Sequence, residues 1–162
     1  MVVRPNEGVS ISLSGLGVIH MLSGQDTAGS FSIVEHPLQS GTLGAAPRVH
    51  LNEDEYSFVL EGEVGGTDRR ARIYGYRGNL RLEALGHTSH LLERGSAARK
   101  DRREYFSSRF EKHFDEIGEV VWAAAGGEPN FAKLTEIADR YGLTMYMERV
   151  PALLEKYNLR LG

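Results

Sequence analysis

Apolar and polar residues alternate through the first part of the chain and change to a helical period in its last third. Val9, Ile11 and Leu13 alternate with Ser10 and Ser12, Val18 to Leu22 is a short apolar run, and Phe31 to Val34 is another. Turn-forming stretches separate them: Ser14-Gly15, Ser23-Gly24-Gln25-Asp26 and Gly29-Ser30. Residues 37–47, with two glycines, two prolines and small side chains, read as a loop. Residues 54–64 read as a further strand, with Tyr56, Phe58 and Leu60 alternating with Ser57, Val59 and Glu61 before a turn at Gly62. Short strands with regular turn punctuation predict a mainly β fold, a sandwich or jelly-roll barrel.

From Phe110 onward the period is helical. Phe110, Phe114, Ile117 and Val121 recur at helical spacing, and Gly126-Gly127 ends that helix. Pro129 is expected at the first position of the next helix, where a missing N–H costs nothing. Phe131, Leu134, Ile137, Ala138 and Tyr141 form its apolar face, and Gly142 stands where a left-handed cap belongs. A third, short helix is expected from Pro151 to about Leu159. These helices are expected to pack against the barrel, which divides the chain into a β-barrel unit, 1–109, and a helical tail, 110–162.

Residues 68–109 follow neither period. They hold 11 Lys and Arg against 5 Asp and Glu, a basic island of net +6 in a chain whose remainder is at −9. Such an island could contact phosphates. It lacks interleaved aromatic platforms beyond Tyr74, Tyr76, Tyr105 and Phe106, so a solvated stretch and no nucleic-acid partner are expected.

The chemistry concentrates between Pro47 and Gly62, in PRVHLNEDEYSFVLEG. His50 precedes Glu55 by five positions, and Arg48 shares strand parity with His50, so both side chains point to one face. Imidazole and carboxylate together suit Mn, Fe, Ni, Zn or Cu. Arginine carries a permanent cation and has no lone pair to give a metal. Glu53 and Asp54 face differently and read as solvated. His87 and His90 read as an accidental pair, His20 as a barrel histidine, His36 as a strand end before Pro37, and His113 as a residue on the polar side of its helix. No Gly-rich phosphate loop, nucleophile elbow or zinc-protease helix motif is present.

PRVHLNEDEYSFVLEG resembles the first signature of the cupin superfamily, in which a small RmlC-like jelly-roll barrel carries a His-x-His…Glu metal site on its inner wall. The resemblance runs from about Gly8 to Gly66 and resumes at Phe110. The later part resembles the helical tail of one cupin group, through Phe110-Glu111 with Phe114, then Pro129 and Arg140-Tyr141-Gly142. Arg48 stands where the first histidine belongs. The second cupin motif, with a Pro-x-Gly turn and the last histidine ligand, is missing between the two parts, so an incomplete barrel is expected. The codons possible for Glu83 to Ser96, read one base out of register, permit KPWGTPHTFWNAG, which resembles that motif. The expectation is a frame-displaced stretch within 68–109, and the gene sequence decides it.

The resemblance implies a divalent transition metal held by His50 and Glu55, metal-dependent small-molecule chemistry of a dioxygenase or isomerase kind, and a homodimer. The alternative is a non-catalytic cupin that binds a small polar or anionic ligand through Arg48. A third reading is a degraded cupin with an unclosed barrel. Cysteine is absent, so disulfide frameworks and thiolate metal sites are excluded, and a cytoplasmic location is expected. The chain shows no signal-peptide core and no apolar run of membrane-spanning length, so no membrane partner is expected.

Overall fold

A computed structural model describes residues 4, 7–13, 16–52, 54–68, 71–76, 80–83, 88–93, 100–106 and 109–161; for residues 63, 67–68 and the strand residues from 71 to 106 it describes the backbone only. Twelve strands and three α-helices follow one another among the described residues. These are β1 (Val9–Leu13), β2 (Leu16–Leu22), β3 (Ser32–Leu38), β4 (Thr42–His50), β5 (Glu55–Val59), β6 (Glu63–Asp68), β7 (Ala71–Tyr76), β8 (Leu80–Glu83), β9 (Thr88–Glu93) and β10 (Lys100–Phe106). Then come α1 (Glu111–Ala123), α2 (Phe131–Arg140), β11 (Leu143–Met145), a 3₁₀ turn (Met147–Arg149), α3 (Val150–Tyr157) and β12 (Arg160–Leu161).

The strands form two sheets. One has the order β1-β2-β3-β10-β5-β8; the other runs β11-β4-β9-β6-β7, with β12 also paired to β4. Among the described residues the pairings are antiparallel except that of β12 with β4. Among the described residues no strand pair joins the two sheets. The architecture is therefore a jelly-roll sandwich left open, which agrees with the expected mainly β fold. No helix among the described residues is long and apolar enough to cross a membrane.

Several sequence expectations are corrected. The stretch 37–47 is not a loop: β3 continues through Pro37 to Leu38, and β4 begins at Thr42. The physical reason is burial on both faces of β4, where Leu43 and Ala46 meet Val150, Leu154, Tyr157 and Leu159 of the tail, while Arg48 and His50 are enclosed elsewhere. A strand covered on both sides loses the polar-apolar alternation that marks a half-exposed one. The stretch 54–64 breaks at 60–62, where Gly62 adopts a φ of +84° that a side chain would strain. The basic segment supplies β7 to β10, with β10 inserted between β3 and β5 and β9 between β4 and β6.

The tail carries the main core. Phe110, Phe114, Ala138 and Leu143 pack with Leu13, Val18 and Val34 of the first sheet. Leu38, Val59 and Val64 form a second cluster, with Val64 from the other sheet. Pro129 does not open α2. Asn130 is the N-cap, its side chain accepting from the Lys133 N–H at 3.1 Å, and the proline precedes it. Gly142 follows α2 in the expected left-handed conformation, φ +66°.

One carboxylate fastens the tail to the sheet. Glu111, buried at the start of α1, accepts from the Gly24 N–H at 2.9 Å and from the Arg109 N–H at 2.9 Å. Its charge also suits a helix N-terminus, where Phe110 offers no capping side chain. Glu111→Ala leaves both N–H groups without this acceptor, so urea denaturation should show a loss of about 3 kcal/mol, and Glu111→Gln should lose roughly half of that.

Candidate functional site

The end of β4 and the start of β5 bring three polar side chains together inside the protein. Arg48 and His50 lie two residues apart on β4, and the turn at 51–54 returns the chain so that Glu55 opens β5. The tail holds that turn: the Leu51 N–H donates to the Gly142 carbonyl at 2.9 Å, and a side chain at position 142 would collide with Asn52. Arg48 is 7% exposed, His50 4% and Glu55 0%. On β5 the inward row is Glu55, Ser57 and Val59; the apolar row of Tyr56 and Phe58 is the outer one.

Arg48 is the centre of this cluster. Its NH2 group donates to Glu55 Oε2 at 2.7 Å, and its Nε–H donates to His50 Nε2 at 3.1 Å. His50 Nε2 and Glu55 Oε2 stand 3.3 Å apart, both turned toward the same guanidinium. The Ser57 hydroxyl donates to the other Glu55 oxygen at 3.3 Å. Phe110, from the tail, lays its ring 4.8 Å from that of His50.

His50 and Glu55 are thus brought together as the sequence suggests, but the Nε2 lone pair of His50 and the Oε2 of Glu55 are engaged by arginine. Among the described residues no group of three or more His, Cys, Asp or Glu is gathered to hold a metal ion. A divalent ion about 4 Å from the guanidinium would be repelled by roughly 8 kcal/mol at an effective dielectric of about 20. The described residues around Arg48 do not fit a metal.

The other histidines divide. His20, half-buried on β2, has its Nε2 3.0 Å from Asp115 Oδ1 of α1. His36 is not at a strand end: it lies inside β3, buried, with Nδ1 3.0 Å from the Gly17 carbonyl and its ring edge against Phe114. Since a carbonyl only accepts, Nδ1 is the protonated nitrogen of His36. Asp54 is half-buried, while Glu53, His87 and the side chain of His90 lie outside the described residues; the backbone of β9 places Ser89 opposite Arg48.

His113 is the residue that sequence reasoning missed. It was expected on a polar helix face, yet it is 6% exposed, stacked on Phe110 at 4.9 Å and edge-on to Tyr141 at 5.5 Å. Burial, then the neighbouring His50 and Arg48, push its pKa down from 6.5 to about 4, against a smaller opposing pull from Glu116. Glu116 accepts from the Tyr141 hydroxyl at 2.7 Å and from Arg140 at 2.6 Å, tying α1 to α2. Burial and this carboxylate raise the Tyr141 pKa to about 12. The only sequence signal for His113 was its place one helical turn from Phe110.

Two antiparallel sheets with a polar cluster between strands define a small jelly-roll protein with an interior site. Comparison with solved structures makes the fold specific: it is the cupin fold. KdgF from Halomonas sp. is similar with a TM-score of 0.60 at 12% identity, over 69% of this chain and 98% of that one. A protein described as a predicted oxalate decarboxylase from Thermotoga maritima gives 0.59 at 20% identity, over 67% and 99%. A cupin-superfamily sugar phosphate isomerase from Silicibacter pomeroyi gives 0.56 at 14%, over 66% and 75%. No protein-family model matches the sequence, and no curated protein matches it.

Proposed function

We propose that this protein is a cupin that binds a small polar or anionic molecule at Arg48 without a metal ion. The observation that carries the reading is the guanidinium bonded to both His50 Nε2 and Glu55 Oε2, where a metal would need those same lone pairs. Arginine is charged at every accessible pH, and its planar fork matches a carboxylate or phosphate. Glu55 and His50 fix its orientation in advance, which lowers the entropic cost of binding. The similar solved structures named above include proteins described as an isomerase and a decarboxylase, which supports small-molecule chemistry as the broad setting.

The test compares wild type with the double substitution Arg48→Met and Glu55→Gln, which removes both charges while keeping volume. Acetate, oxalate and inorganic phosphate are the probes. Wild type should show a rise in melting temperature with at least one of them at millimolar concentration, and the double variant none. Equal shifts in both proteins would remove Arg48 from the site. Metal analysis provides the second arm: purified wild type should carry no stoichiometric transition metal, whereas Arg48→His, which replaces the cation with a third nitrogen donor, should gain one. A full metal complement in wild type, lost in His50→Ala, would return the site to a metal enzyme.

A further inference from the structure

His113 holds a polar atom that the fold has no visible use for. Its Nδ1 is fully enclosed and meets no hydrogen-bond partner among the described residues. The ring is packed by Phe110 at 4.9 Å and 19°, by Phe114 at 5.5 Å and 74°, and by Tyr141 at 5.5 Å and 77°. A phenylalanine would suit such a slot, because an enclosed nitrogen without a partner costs about 1–3 kcal/mol. Native proteins leave few such groups, and those they leave call for an explanation.

The surroundings supply one. Phe110 touches the imidazoles of both His50 and His113, so the tail residue lies one ring away from the Arg48 cluster. Burial, then the neighbouring His50 and Arg48, keep the His113 imidazole neutral at physiological pH. Nδ1 of a neutral imidazole donates in one tautomer and accepts in the other; a hydroxyl serves both, whereas a carboxylate serves the donor tautomer alone.

We propose that His113 Nδ1 is a second polar contact for the molecule anchored at Arg48, and that this molecule is a small 2-hydroxy carboxylate. Its carboxylate meets the guanidinium and its hydroxyl meets the imidazole. The inference rests on the ligand-binding reading above and adds the substrate class and a residue from the helical tail.

Lactate and propionate differ by that hydroxyl alone and serve as probes. Calorimetric titration of wild type should give about tenfold tighter binding of lactate, the worth of one hydrogen bond. His113→Phe should bind the two equally, at the wild-type propionate affinity. Retention of the tenfold preference in that variant would overturn the role of His113 and leave an enclosed water as the partner of Nδ1. Binding of both probes by wild type with no preference would also overturn it while sparing the Arg48 reading. Failure of wild type to bind either overturns the 2-hydroxy carboxylate, while the Arg48 reading is decided separately by acetate, oxalate and phosphate. Should His113→Phe not fold, the imidazole ¹⁵N resonances of His113 in wild type report directly: they should move with lactate and stay fixed with propionate, and immobility with both overturns the contact.

Discussion

Arg48→Ala lowers stability by about 3–5 kcal/mol, the usual cost of leaving one member of a buried ion pair without its partner. The large figure comes from Glu55. Its carboxylate is completely buried, and the 2.7 Å bond from the arginine NH2 group is what offsets the loss of its hydration. His50 loses its donor in the same step. The coupled substitution Arg48→Met with Glu55→Gln should recover most of the loss, because neither charge of the pair is then left without its partner. Urea melts of the two single variants and the double one measure the coupling. If Arg48→Ala melts like wild type, Arg48 is not the counter-charge of Glu55.

Acid should weaken the protein through His113. The unfolded chain takes up a proton near pH 6.5, whereas the folded protein resists protonation until about pH 4. Between those values the unfolded state binds more protons, so stability falls as pH is lowered. The contribution is intact above pH 6.5, and about 3 kcal/mol is gone by pH 4, from a shift of roughly 2.5 units at 1.36 kcal/mol each. Burial, His50 and Arg48 set the direction, and Glu116 is the one opposing group. Denaturation midpoints from pH 4 to 7 in wild type and His113→Phe check this. The variant should show a flatter profile across that window; an equally steep one assigns the acid sensitivity elsewhere.

The parts of this molecule that were legible in its sequence are those where one face of an element meets water. Helices α1 and α2 show their period because their outer faces are exposed and polar. β1 alternates for the same reason. β4 hid itself as a loop because the tail covers one face and the interior the other, and its glycine, alanines and proline carry no pattern. Arg48 and His50 meet on one side of β4 because strand parity is a local rule. An ion pair of Arg48 with Glu55 is one of the readings that the sequence offers, and the turn at 51–54 is what brings the two together. His113 is buried against expectation because it is covered by Tyr141, which caps the end of α2, 28 residues further along. A polar residue on a helix cannot announce that a second helix will cover it.

The strand pairing of β4 bears on the order in which the protein is made. Its register is fixed from outside by late residues, with β11 set against 48–50 and β12 against 42–43. Arg48 and His50 leave the ribosome long before Met145 and Leu143, which pair with them. During synthesis one edge of the strand that bears the site therefore waits for its partners, and contacts so distant in sequence form slowly. A nascent chain stalled before residue 143 would present that edge to any other strand nearby. The Arg48 cluster, written about a third of the way along the chain, is finished only by its last residues.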